Sequence, residues 1–221
     1  MDSVLYLIIT GLYVVLFGVG IVLWKQDSSH PIRYLLFIVT AALIWDNGIM
    51  GIGKWIGEGE MLERMNLLRF WLHAFCTPLL TVISLGLMQR SGIQWAQRGI
   101  AIWGSWIFTI VLIVLELVTE TFSLAIKPVL EYGALRYVPV EKGSGPPLMV
   151  LLILIPLFIA GVTLWKRRVT SALFWGTLIM TIGSAVPIPV ASSAATNIFE
   201  LVLIASLWLS IHKTNTRLAI S

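Results

Sequence analysis

The chain has 221 residues, 58% of them apolar and only 12% charged, with a mean hydropathy of +0.92. Soluble domains carry about 25% charged residues, so this composition excludes an ordinary soluble globule and a disordered chain. It also argues against a nucleic-acid binder, although 15 basic residues outnumber 11 acidic ones.

A helix needs about 20 mostly apolar residues to cross a bilayer. Seven stretches meet or approach that length: residues 4–24, 34–53, 67–88, 99–118, 147–165, 172–188 and 195–211. The first reads as a span and not a cleaved signal peptide. No basic n-region precedes it, it is too long for an h-region, and no A-x-A site follows. The connectors are short except residues 119–146, and no internal repeat is evident. The expected fold is therefore all-α, a polytopic integral membrane bundle of seven transmembrane helices forming one domain over residues 1–221.

Basic residues accumulate on the cytoplasmic side of membrane proteins. With the N-terminus outside, the inner loops hold Lys25, Arg33, Arg90, Arg98, Lys166, Arg167, Arg168, Lys213 and Arg217. The outer side holds Lys54, Arg64, Lys127, Arg136 and Lys142, together with most of the acids. This orientation places the C-terminus in the cytoplasm, with Lys166–Arg168 as the marker. Trp24, Trp55, Trp95, Trp165 and Trp175 fall near expected span ends, where amphipathic rings favour the interface. The single cysteine, Cys76, excludes an intrachain disulfide and reads as a small core residue.

Ionisable side chains inside spans are costly and mark candidate functional sites. Here they converge. Asp46 lies near the outer end of the second span, Arg69 and His73 near the outer end of the third, and Asn197 and Glu200 near the outer end of the seventh. At 1.5 Å per residue these five sit roughly 3–11 Å inside one boundary. Glu116, in the fourth span, sits at a similar level. Asn66, Arg69, His73 and Thr77 share one helical face, and Pro78 removes a helical N–H and is expected to kink the helix below His73. Asp46 and Asn47 are followed by Gly48, Gly51 and Gly53, which permit close backbone approach.

Two readings of these groups stay open. Asp46 or Glu200 pairs with Arg69 as a structural brace, because buried ion pairs are often structural. Alternatively the groups line an outward-opening cavity, which explains their concentration at one level. The long outer loop offers a hairpin, Val129–Tyr132 and Leu135–Val138 about a turn at Gly133–Ala134, as either a lid or a solvated loop. Gly143 to Pro147 then breaks structure before the fifth span. Thr177, Thr181 and Ser184 form a small polar stripe that reads as a helix-packing face.

Carboxyl groups in apolar and in cationic surroundings favour different protonation states, the usual device for one acid and one base. Asp46, His73 and Glu200 are the candidate catalytic residues on this reading. Asn47, Asn66, Arg69, Thr77 and Asn197 are the candidate substrate-binding residues, with the Arg69 fork as an anion anchor. A zinc site is disfavoured because only His73 of the three histidines lies in a span, so neither metal nor cofactor is expected. A retinal protein needs a lysine in its last span, and residues 195–211 contain none. Proton-coupled transport would want ionisable groups at the midplane.

The stretches Trp45–Gly48, Arg69–His73, Arg136–Tyr137, Gly145–Pro147 and Asn197–Glu200 resemble a family of small seven-span bacterial membrane proteins of unassigned function. That resemblance implies residence in the plasma membrane of a bacterium. The layout also resembles the integral-membrane terpene cyclases, small seven-span proteins with an acid in the second span and one in the last, places held here by Asp46 and Glu200. The expectation is an integral membrane protein that binds or processes, by acid–base chemistry, an amphipathic lipid-like or isoprenoid molecule. Its partners would be membrane lipids and that ligand, not nucleic acid, with protein partners left open. The alternative is a non-catalytic membrane protein, receptor-like or a partner subunit, whose intramembrane charges form a structural network.

Overall fold

Long runs of Leu, Ile and Val with few polar side chains leave the backbone to satisfy its own hydrogen bonds, and helices do so within one segment. The computed structural model describes residues 1–26, 32–141, 148–185 and 191–218. Its helices are α1 (Asp2–Gln26), α2 (Ile32–Ile56), α3 (Glu60–Cys76), α4 (Leu80–Arg90), α5 (Gly99–Glu116), α6 (Leu148–Lys166), α7 (Ala172–Ala185) and α8 (Ala195–Leu218). A two-stranded sheet, β1 (Ile126–Glu131) and β2 (Ala134–Pro139), lies between α5 and α6 in sequence.

Six helical segments are long and apolar enough to cross a membrane: Asp2–Trp24, Tyr34–Ile56, Glu60–Arg90, Gly99–Thr121, Leu148–Lys166 and Ala195–Thr216. The third joins α3 and α4 through a 3-10 turn at Thr77–Leu79. Pro78 sits in that turn, so the expected break below His73 is present. The stretch expected as a sixth span, residues 172–188, contains α7, with 14 residues. At 1.5 Å per residue α7 measures roughly 21 Å, short of a hydrocarbon core about 30 Å thick. The end of that stretch, residues 186–188, lies outside the described residues, as do Asp27, His30 and the Gly143–Pro147 breaker.

The helices pack chiefly as neighbours in sequence: α1 on α2, α6 on α7 and α7 on α8, with α4 against α6 and α8 closing back on α1. At one end of the bundle the core is aromatic. Phe37 stacks edge-on with both Phe17 and Trp208 at 4.9 Å, and Trp208 Nε1 donates to Thr40 Oγ1 at 3.2 Å. A Cβ at Gly20 would strike the Trp208 ring, so glycine there lets α1 approach α8. Thr177 and Thr181 donate to the carbonyls of Leu173 and Thr177 within α7, so this part of the polar stripe is bonded within its own helix.

The hairpin covers the opposite end. β1 and β2 pair antiparallel from Ile126 opposite Pro139 to Glu131 opposite Ala134. The turn is Tyr132–Gly133, one residue earlier than the expected Gly133–Ala134. Both residues have positive φ, 50° and 84°, as a two-residue type I′ hairpin requires. The register pairs Glu131 with Ala134, which leaves Tyr132 and Gly133 as the turn. β2 is no solvated loop: Ala134, Tyr137 and Val138 are buried. Ser3 Oγ donates to Gly133 O, and Tyr137 N donates to Asn66 Oδ1. A Cβ at Gly53 would meet the Leu135 carbonyl, so that glycine admits the hairpin backbone onto α2.

Candidate functional site

Next to the hairpin-covered end, the bundle encloses a cavity of about 310 Å³. Asp46 from α2, Arg69, His73 and Cys76 from α3, Thr77 from the turn, and Asn197 and Glu200 from α8 all line it. Five of the candidate residues singled out in the sequence for their level, Asp46, Arg69, His73, Asn197 and Glu200, are thus brought to one space. Much of the remaining wall is apolar, with Leu80 on α4, Ile153 and Leu157 on α6, Met180 on α7 and Leu203 on α8.

Arg69 is almost fully withdrawn from solvent and is held on two sides. Its Nε lies 3.0 Å from Asp46 Oδ1, and its Nη1 donates to Asn66 Oδ1 at 3.0 Å. A guanidinium has five N–H donors in a fixed fork. Two are spoken for by these partners, and the orientation of the fork is set by α2 on one side and by α3 itself on the other. The Arg69 guanidinium carbon also lies 4.7 Å from the centre of the Phe70 ring.

Asn66 and Asn47 do not line the cavity; both are buried behind its wall. Asn66 Oδ1 accepts from Arg69 and from the Tyr137 backbone, while its Nδ2 donates to Leu62 O at 2.8 Å. It therefore couples the arginine to the hairpin. Asn47 Nδ2 donates to Leu43 O, and Asn47 Oδ1 accepts from Asn197 Nδ2 at 3.0 Å, tying α2 to α8. Both residues expected as ligand contacts therefore touch side chains that face the cavity, Asn66 touching Arg69 and Asn47 touching Asn197.

His73 Nδ1 and the Thr77 hydroxyl lie 3.2 Å apart. This i, i+4 contact uses one ring nitrogen, and Nε2 has no partner among the described residues. Glu200 is half-buried and lines the cavity, yet neither a hydrogen bond nor an ion pair holds its carboxyl group among the described residues. Glu116, at the same level in sequence, does not line the cavity. It is buried elsewhere, and its Oε2 has no partner among the described residues.

Four cavity-lining polar residues, Tyr6, Ser193, Arg136 and Thr196, were not among the sequence candidates. Tyr6 on α1 donates from its hydroxyl to Ser193 Oγ at 3.1 Å, and Ser193 donates in turn, from N and from Oγ, to Asp2 Oδ2. That chain closes the cavity between α1 and the segment leading into α8. Arg136 lies on β2, and its Nη2 donates to Glu131 Oε2 at 3.1 Å. Spacing contains a faint signal for Tyr6, since Tyr6, Thr10 and Tyr13 fall on one face of α1; Thr10 donates to Tyr6 O.

Chemically, the arrangement offers a braced cation, an unpaired carboxyl group and an imidazole nitrogen beside an apolar chamber. Among the described residues no group of three His, Cys, Asp or Glu side chains is placed to hold a metal ion. Compared with known proteins, the chain matches no family model and no curated sequence.

Proposed function

We propose that this protein binds, or processes by acid–base chemistry, an amphipathic lipid-like or isoprenoid molecule within the membrane. The observation that carries the reading is the two-part cavity: a charged end at Asp46, Arg69 and Glu200, and an apolar remainder built from α4, α6, α7 and α8. A ligand pocket is usually a largely apolar cleft of about 300–1,000 Å³ with a few convergent polar groups. In this reading Glu200 and His73 face the ligand, Asp46 sets the arginine, and Arg69 offers its remaining N–H donors to an anionic or carbonyl oxygen. Asn197 and Thr77 orient the head, held by Asn47 and His73 respectively.

The proposal includes the finer topology. α7 completes a seventh span together with the residues that follow it, the N-terminus and the hairpin lie outside, and the C-terminus is cytoplasmic. The positive-inside distribution supports this, with Lys166–Arg168 opposite the hairpin end. The membrane is the plasma membrane, by the resemblance to small bacterial membrane proteins.

One observation favours the non-catalytic reading for part of the site. Arg69 already has Asp46 and Asn66 as partners, as a structural brace would. Glu200, which has no such partner, separates the two readings. Native mass spectrometry with lipid analysis on protein purified in mild detergent tests them. A discrete co-purified amphiphile, absent from folded Glu200→Gln and Arg69→Ala variants, is the expected result. No ligand on the wild type, with both variants unstable, leaves the structural network.

A further inference from the structure

The polar end of the cavity is nearly self-satisfied, and what is left over describes a ligand. Asp46 is paired with Arg69. Tyr6 and Ser193 run to Asp2. Asn197 is taken by Asn47. Away from the Asp46–Arg69 pair, two charged groups remain incomplete, beside the Nε2 of the His73 ring. Glu200 has no donor among the described residues. Arg136 uses Nη2 on Glu131, while its Nε is buried without an acceptor, so the guanidinium has donors to spare.

We infer that the head group this cavity accepts is zwitterionic, with an ammonium directed to Glu200 and a phosphate or carboxylate directed to the Arg136 and Arg69 guanidiniums. The inference rests on the reading of the cavity as an amphiphile site. Charge decides against the simpler heads. A purely anionic head would bring its charge into a space already lined by Glu200 and Asp46 and leave the Glu200 carboxyl group without a donor. A purely cationic head would complete Glu200 but place its charge beside two guanidiniums and leave their free donors unmet. Charges a few ångströms apart in a low-dielectric pocket interact far more strongly than in water. Hydrogen bonds to ionised groups are correspondingly the strong ones. A head with both signs completes both groups without adding net charge. Its hydrocarbon tail would lie along Leu80, Ile153, Leu157 and Leu203, which form the apolar wall.

Three probes with one shared acyl chain test this on the purified full chain in nanodiscs: a lysophosphatidylethanolamine, a lysophosphatidic acid and the long-chain amine. The expected result is that the zwitterion binds about tenfold or more tightly than either single-charge probe. Glu200→Gln should bring the zwitterion down to the phosphate-only probe, and Arg136→Gln should bring it down to the amine. The wild-type comparison decides even where a variant fails to fold. Equal binding of all three, or preference for one single-charge probe, overturns the zwitterionic head and leaves the amphiphile cavity standing. Binding of none of the three overturns both.

Discussion

Asn66 Oδ1 accepts both from Arg69 Nη1, at 3.0 Å, and from the backbone N–H of Tyr137, at 3.3 Å. One buried amide oxygen thus joins the cavity's central cation to the hairpin that covers its end. With Asp46 holding Nε of the same guanidinium, three elements fix one side chain: α2, α3 and β2. A cation so constrained would lose little freedom on meeting the proposed ligand, as preorganised sites limit the entropic cost of binding.

The Asp46–Arg69 pair makes a prediction about sign. Arg69→Leu leaves Asp46 beside an apolar wall without its counter-charge, and breaking a buried pair by removing one partner costs about 3–5 kcal/mol. Asp46 has some residual exposure, with 23% of its side chain accessible, so the lower end is expected. The double variant Asp46→Leu/Arg69→Leu should recover most of that loss in thermal unfolding. A double variant as unstable as Arg69→Leu would show that the two charges are not each other's main support.

The Asn47–Asn197 bond is the second brace, between α2 and α8. Asn47 is fully buried, so Asn197→Ala leaves its Oδ1 without a donor. Interhelical hydrogen bonds in membrane proteins are worth about 0.6 kcal/mol on average and about 1.7 at most. A double-mutant cycle of Asn47→Ala and Asn197→Ala should therefore give a coupling near 1 kcal/mol. Additive losses would remove Asn47 as the support of Asn197.

How far the sequence foretold this site depends on what kind of signal each residue leaves. Asp46, Arg69, His73 and Glu200 stand out because charge within an apolar run is rare, and counting residues along a helix gives their depth. Counting does not give direction around the bundle. Glu116 shares their level yet is buried away from the cavity, because α5 presents that face elsewhere. Tyr6 left only a faint signal for a different reason: a tyrosine near the end of an apolar stretch looks like an interfacial anchor. The Asp2–Ser193 contact joins residues 191 positions apart, and no local pattern encodes it. The hairpin was legible as two strands, but its turn was displaced by one residue because tyrosine rarely adopts the left-handed conformation found at Tyr132.

That unusual tyrosine gives a stabilising prediction. Type I′ turns favour Asn-Gly, and Asn tolerates positive φ better than an aromatic residue. Tyr132 is half-exposed, so little packing is lost on replacement. Tyr132→Asn should stabilise the hairpin by about 0.5–1 kcal/mol, read as slower proteolysis between β1 and β2. Faster cleavage would mean that the tyrosine ring contributes more than the turn geometry does.

Gly53 predicts the opposite effect at the same hairpin. A Cβ there meets the backbone oxygen of Leu135, which cannot rotate out of the way as a flexible side chain could. Gly53→Ala should push β2 off α2 and destabilise the protein by about 1–3 kcal/mol, the usual range for overpacking. The Tyr137 ring should become accessible with it, visible as a change in tyrosine reactivity. An unaltered Tm and an inaccessible Tyr137 would show that the hairpin docks without needing that approach.

Topology is the remaining prediction, and the single cysteine makes it clean to measure. Cys76 is buried, so Cys76→Ser supplies a background with no thiol. New cysteines at Glu58 and Tyr132 probe the hairpin end, and at Arg168 and Lys213 the opposite end; all four positions are exposed. With the N-terminus outside, a membrane-impermeant maleimide added to intact cells should label the first two, and label the last two only after lysis. The proposed orientation predicts this, since Arg168 belongs to the densest basic cluster and such clusters favour the anionic cytoplasmic leaflet. Two further positions test the span count. If α7 fails to cross, the residues preceding α6 and those preceding α8 lie on opposite sides. Glu141 and Ser193 cysteines would then label differently, whereas seven spans place both with the hairpin, on the outer face.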